Sequence, residues 1–219
     1  MISMETVKTG KEKQLSYSIE YRQFNKALKE TFYLEAIAIG YAIIEDRLVA
    51  FLHHAGIVTR EQKELKINRM TYPYMRKLLK KDEKWSIKIK DLSVKIALIN
   101  ALIDMTEQEA VLIDNEVDLY IKNLKRKRTI AKSGYMHDLY TQIRVLDLNS
   151  IKGVFARIEP WRTSRNQLIH ALMSKTAETA ADEKKKCAED SYSITRDIDN
   201  HLVKPFKINN RIRKKYNIQ

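Results

Sequence analysis

Between Phe24 and Ala55 an apolar residue returns at nearly every helical turn: Tyr33, Ile37, Tyr41, Ile44, Leu48 and Phe51 share one face. Gly56 follows, where the end of a helix favours a positive φ. A stripe this long must be covered by other elements, and the turn residues needed to build a many-stranded sheet are scarce, with five Gly and three Pro in 219 residues. A 44% hydrophobic content is enough for a real core. The expected fold class is therefore all-α, a helical bundle with a long early helix.

The period continues along the chain. A more polar helix is predicted over 60–81, starting near Thr59 and kinked or ended by Tyr72-Pro73. Residues 91–103 read as a buried helix, and 106–128 as another with Thr106 and Glu109 in a capping box, closed by Ser133-Gly134. A short helix over 136–147 leads to Asn149-Ser150, the expected N-cap of a long late helix that contains RTSRNQLIHAL (162–172). Beyond Lys175 the pattern turns polar and extends weakly to His201. We read 1–20 as a loose leader with a short helix from Tyr17, 21–203 as a single helical domain, and 204–219 as a basic C-terminal tail.

Forty-one Lys and Arg against 28 Asp and Glu give a net charge of +13, which favours nucleic acid or an acidic protein as partner. Apolar runs such as 36–44 fall far short of the ~20 residues a membrane span needs, so a soluble protein is expected. The single cysteine, Cys187, has no internal partner, which fits a passive thiol in a reducing cytoplasm. His53-His54, His137-Asp138 and His201 lack metal-ligand spacing, and no phosphate-binding glycine loop is present, so neither metal nor cofactor is expected.

Two basic clusters admit two readings. Lys122, Lys125, Arg126, Lys127, Arg128 and Lys132 form a run without an acid, as do Lys204, Lys207, Arg211, Arg213, Lys214 and Lys215. Such runs are either solvated helix ends that complement the macrodipole or sequence-independent phosphate contacts. Tyr120, Tyr135, Tyr140 and Tyr216 lie near them, as core residues or as platforms for single-stranded bases.

RTSRNQLIHAL does not follow the pattern around it. At about 100° per residue, Ile158, Trp161, Leu168, Ile169 and Leu172 collapse onto one arc, and Arg165 falls in its middle. A guanidinium facing an apolar surface needs compensation: a carboxylate such as Glu35 or Glu45, or a cavity that holds an anion. Asn166 and His170 stack four apart on the flanking face, with Arg162 and Glu159 between. Two fixed cations, an amide and an imidazole are the groups phosphate chemistry uses, and spacing alone leaves both readings open.

RNQLIH resembles the Arg-(four residues)-His signature of the HEPN superfamily, including the Asn that often follows the arginine. Its place late in an all-helical chain, and the early FYLEAIAIGYAIIEDRLVAFLHHAG, are similar to that family over residues 24–175. The resemblance implies a HEPN-type bundle that homodimerises with its motifs facing across a cleft, and in many members a metal-independent endoribonuclease of toxin or anti-phage defence systems. By position, Arg165 would stabilise the phosphorane, Asn166 would hold the phosphate or the arginine, and His170 would act as acid or base. Arg162, Lys122, Lys125, Arg126, Lys127 and Arg128 would bind RNA, and an acidic antitoxin is a possible further partner. Leu172 stands where one variant of the family carries a tyrosine, which weighs against that variant's nucleotidyltransferase antitoxin. The alternative is a non-catalytic nucleic-acid-binding or scaffold protein of HEPN-like fold.

Overall fold

The computed structural model describes residues 10–61, 64–82, 85–86, 88–89, 91–105, 107–124, 134–173, 181–209 and 212–218. It is an all-α helical bundle with one small β-hairpin. In chain order come α1 (Gly10–Lys29), α2 (Tyr33–His54), β1 (Val58–Glu61), β2 (Glu64–Ile67), α3 (Tyr72–Leu78), α4 (Leu92–Asp104), α5 (Glu107–Leu124) and α6 (Tyr135–Arg144). Next are α7 (Leu148–Met173), α8 (Ala181–Asp197), a π-helical turn (Ile198–Val203), α9 (Lys204–Asn209) and α10 (Ile212–Tyr216).

Helix ends explain most departures from the expected boundaries. The early helical stripe breaks at Thr31, whose φ of 62° closes α1: its amide bonds Leu28 O (3.2 Å), and the Phe32 amide bonds Ala27 O (2.8 Å). That is a Schellman closure with threonine in the place glycine usually takes. α2 ends the same way at Gly56, with Ile57 N bonded to Leu52 O (2.9 Å). A Cβ at Gly56 would lie 2.6 Å from Ile218 Cδ1, a second reason for glycine there. Helix α1 begins at Gly10, seven residues ahead of the Tyr17 start.

The predicted helix over 60–81 is not formed. Val58–Glu61 pairs antiparallel with Glu64–Ile67, Val58 opposite Ile67, with both side chains buried. Val58, Thr59 and Ile67 are β-branched residues at home in a strand, a preference the polar pattern obscures. Pro73 then sits in the first turn of α3, where its missing N–H costs nothing, so it starts a helix instead of ending one. Gly134, at φ 95°, caps the start of α6, and Ser133, expected with it to close the preceding segment, lies outside the described residues. The cap of α7 is Asp147, which accepts from Ser150 N (3.1 Å) and Ser150 Oγ (2.6 Å) and replaces the expected Asn149-Ser150. These bonds hold the Asp147 carboxyl below its usual range. Thr106, of the expected capping box, lies outside the described residues.

The chain folds into two compact units. The first, Met1–Ile44 with Ile158–Thr195, has a core of Phe24, Ala36, Ile37, Ile43, Ile44, Ile158, Trp161, Leu168, Ala188 and Ile194. In it Phe24 meets Tyr192 edge-on with ring centroids 5.3 Å apart. The second, Glu45–Arg157 with Arg196–Gln219, packs Phe51 on Phe206 at 4.6 Å and Tyr74, Tyr135 and Tyr216 in a chain of rings. Tyr135 donates to Ala55 O (3.0 Å). The buried Asp114 of α5 accepts from the amides of Met136 (3.0 Å) and His137 (3.1 Å), doing for α6 what Gly134 has no side chain to do. Burial pushes the Asp114 carboxyl up against these bonds. The π-helical turn holds Asp199 3.3 Å from Arg47 and 2.9 Å from Lys204.

Residues 204–209 and 212–218 are folded into this second unit, with Phe206, Ile212, Tyr216 and Ile218 buried and Lys204, Lys207, Lys214 and Lys215 exposed. Tyr135 and Tyr216 are core residues and offer no face to a base.

Candidate functional site

Helix α7 carries the motif across its last three turns. Pro160 lies inside the helix, but it and Ala156, whose carbonyl it leaves without a helical donor, are both exposed, so water can take the place of the lost bond. The arc expected to be apolar is buried: Ile158, Trp161 and Leu168 are nearly fully covered. Trp161 Nε1 donates to Cys187 O of α8 (3.0 Å), which fixes the indole beneath the motif. Cys187 itself is a buried thiol pushed up to about 11, chiefly by burial, which keeps it protonated and unreactive at neutral pH.

Arg165 is half-buried at the edge of this surface. Its guanidinium carbon lies 4.3 Å from the centroid of the Tyr41 ring, and Tyr41 is stacked on Trp161 with centroids 6.4 Å apart. Nη1 donates to Asn166 Oδ1 (2.9 Å), and Nε is buried without an acceptor. Among the described residues no carboxylate comes within ion-pair distance of Arg165. Of the two carboxylates that the sequence offers as partners, Glu35 is exposed and Glu45 accepts from the buried Lys95 (2.5 Å). An aromatic face and a neighbouring amide hold the cation in place of a counter-charge, and they leave guanidinium donors for an anion.

His170 is exposed in the last turn of α7, one turn beyond Asn166 and without a hydrogen-bond partner among the described residues. It stands five positions after Arg165, so the two point about 140° apart around one helix, with Asn166 between them. Arg162 is engaged by Glu159 through Nε (2.9 Å) and Nη2 (2.8 Å). Lys122 is exposed near the end of α5. Lys125, Arg126, Lys127 and Arg128 lie outside the described residues, as does the side chain of Leu172.

Sequence reasoning missed Tyr41 as the residue on which Arg165 rests. It sits in the stripe of the early helix like any core aromatic, and only the packing of α2 against α7 within the first unit pairs the two. Among the described residues no group of three or more His, Cys, Asp or Glu is placed to hold a metal ion. No helix among them is long and apolar enough to cross a membrane. No family model, curated protein or solved structure matches the chain.

Proposed function

We propose that this chain is a metal-independent endoribonuclease of the HEPN type, acting in the cytoplasm as a homodimer in a toxin or phage-defence role. The observation that carries the reading is Arg165: a half-buried cation held by Tyr41 and Asn166 with no carboxylate in reach among the described residues, and an exposed imidazole one turn further along. A cation used only for structure would be expected to meet an acid. The resemblance of RNQLIH to the HEPN signature supplies the reaction.

In that reaction a base takes the proton from an RNA 2′-hydroxyl, and the oxygen attacks the adjacent phosphorus. Arg165 stabilises the negative charge that builds on the non-bridging oxygens, and Asn166 holds the guanidinium in place. The 5′-oxygen leaves with a proton, and the products are a 2′,3′-cyclic phosphate and a free 5′-hydroxyl. His170 acts as the acid or the base in this transfer. Because Arg165 and His170 diverge on one helix, two copies of α7 facing each other give the route by which both reach one phosphate. Lys122, Arg162 and the segment 125–128 are assigned to RNA contact, and an acidic antitoxin would compete for the same positive charge.

Incubating the protein with single-stranded RNA in EDTA should give cleavage that Arg165→Ala and His170→Ala abolish. No cleavage, or equal cleavage by the variants, overturns the reading. A second reading, non-catalytic nucleic-acid binding, draws on the exposed Lys207 and Lys214 of α9 and α10. It predicts salt-sensitive binding that Lys207→Gln with Lys214→Gln weakens and His170→Ala leaves unchanged.

A further inference from the structure

The stretch from Arg60 in β1 to Lys90, just before α4, holds eleven Lys and Arg against four Asp and Glu, a surplus of seven out of the whole chain's thirteen. Part of this charge is answered within the second unit. Lys66 and Lys88 share Glu64 at 3.7 and 2.8 Å, and Lys77 pairs with Glu116 of α5. Arg69, Lys80 and Lys81 are exposed and meet no carboxylate among the described residues. They stand at the two ends of α3, a helix about 10 Å long. Arg69 comes three residues before Tyr72, and Lys80 and Lys81 lie in the turn that closes the helix, where Lys80 takes a φ of 52° and Lys81 N bonds Arg76 O (2.9 Å).

Beside these cations lies a planar surface. Trp85 is stacked on Tyr72, the first residue of α3, with ring centroids 5.8 Å apart and planes 20° from parallel. The Tyr72 hydroxyl donates to Trp85 O (2.6 Å), so the pair is tied at ring and backbone. The backbone on either side of the indole is anchored as well: Trp85 N bonds Asp82 O (3.3 Å), Lys88 bridges to Lys66, and Ile89 N bonds Leu65 O (2.9 Å). Both rings are only half-buried, whereas Trp161 is covered. An indole fixed in this way and still open to solvent loses little freedom when a planar ligand stacks on it. Aromatic faces for bases, with cations for the phosphates, are how proteins hold single strands. A duplex keeps its base faces stacked inside and offers the indole nothing, and an acidic protein would use the cations but not the aromatic pair.

We propose that the hairpin and α3 of the second unit bind single-stranded RNA, with a base stacked on Trp85 and Arg69, Lys80 and Lys81 on neighbouring phosphates. The choice of RNA rests on the reading of the chain as a ribonuclease, but binding here is observable without cleavage.

The test uses a 2′-O-methyl oligouridylate of about 12 nucleotides, which cannot be cut by 2′-hydroxyl attack, so binding at this surface and cleavage at α7 succeed or fail separately. Added to the full chain, it should quench tryptophan emission, and the quench reports Trp85 because the only other indole, Trp161, is buried. Trp85→Phe should lose the quench and keep affinity within about threefold by anisotropy, whereas Trp85→Ala should weaken binding at least about fivefold. Lys80→Gln with Lys81→Gln, both exposed, should leave the melt unchanged and lower the slope of log K against log salt by about 1.4, the effect of two phosphate contacts. This pair keeps the proposal open to refutation if Trp85→Ala loosens the fold. The same strand annealed to oligoadenylate should give no quench. No quench by the single strand, a quench that survives Trp85→Phe, an equal quench by the duplex, a folded Trp85→Ala that binds as tightly as wild type, or an unchanged salt slope in the lysine pair overturns the proposal.

Discussion

A methyl group added at Gly40 separates two forces of opposite sign. Gly40 lies in the middle of α2, and helix propensity alone makes Gly40→Ala stabilising by about 1 kcal/mol. The packing argues the reverse. An ideal Cβ there would lie 2.5 Å from Ser191 Oγ, 2.8 Å from Ser191 Cβ and 3.0 Å from Phe24 Cζ. The hydroxyl could rotate if it were free, but it donates to Ala188 O (2.8 Å), and Ser191 Cβ moves only with the backbone of α8. Reaching ordinary contact requires α8 to retreat by roughly 0.5–1 Å, which strains the Trp161 bond to Cys187 O on the same helix. Overpacking of this kind costs about 1–3 kcal/mol against that gain of about 1 kcal/mol, so the net effect should be destabilisation of about 1 kcal/mol.

Urea denaturation of Gly40→Ala, Ser191→Gly and the double variant measures the balance. Ser191→Gly removes both nearest atoms, at about 1 kcal/mol of helix propensity, and should make the alanine at position 40 tolerable. The double variant should then be more stable than the sum of the single effects predicts, by at least about 1 kcal/mol. A stabilised Gly40→Ala, or strictly additive effects, would refute the close approach of α2 and α8.

Three further outcomes follow from particular contacts. Tyr41→Leu takes away the ring beneath Arg165 and should lower RNA cleavage about tenfold, while Tyr41→Phe should hold it within about threefold; equal losses would show that the ring does not position the guanidinium. Lys95 is buried and its partner Glu45 is partly exposed, so Lys95→Met should cost under about 1 kcal/mol and Glu45→Gln, which strands the buried ammonium, about 3 kcal/mol. Thermal melts giving the reverse order would count against that asymmetry. Asp114 has a carboxyl raised above its ordinary 3.8 by burial, so the folded state holds its proton more tightly than the unfolded chain. Wild-type stability relative to Asp114→Asn should therefore fall as pH climbs from about 3.8 through the raised folded value, and a relative gain with rising pH would contradict it.

The long helices were legible because their apolar residues recur with the period of the elements they form, and α2, α4 and α7 lie where that period placed them. Their ends were harder to read. Thr31 and Lys80 take left-handed conformations at the ends of α1 and α3, and neither residue type announces such a turn. The hairpin at 58–67 was hidden by its charged positions, and the N-terminal cap of α6 comes from Asp114, twenty residues before Gly134. At the motif, the wheel located Arg165 on a buried arc because the anomaly is local to one helix. Its resting place on Tyr41 depends on a second helix more than a hundred residues earlier, which no local pattern encodes.

The most direct test of the central claim is the chemistry of the cut. An RNA that the protein cleaves in EDTA is resynthesised with a single 2′-deoxynucleotide on the 5′ side of the scissile phosphate, and the products of both are weighed by mass spectrometry. The account predicts a 2′,3′-cyclic phosphate from the all-ribose substrate, no cut at the substituted position, and no product from Arg165→Ala or His170→Ala. Cleavage at the deoxy position, or a product made equally well without Arg165, would contradict it.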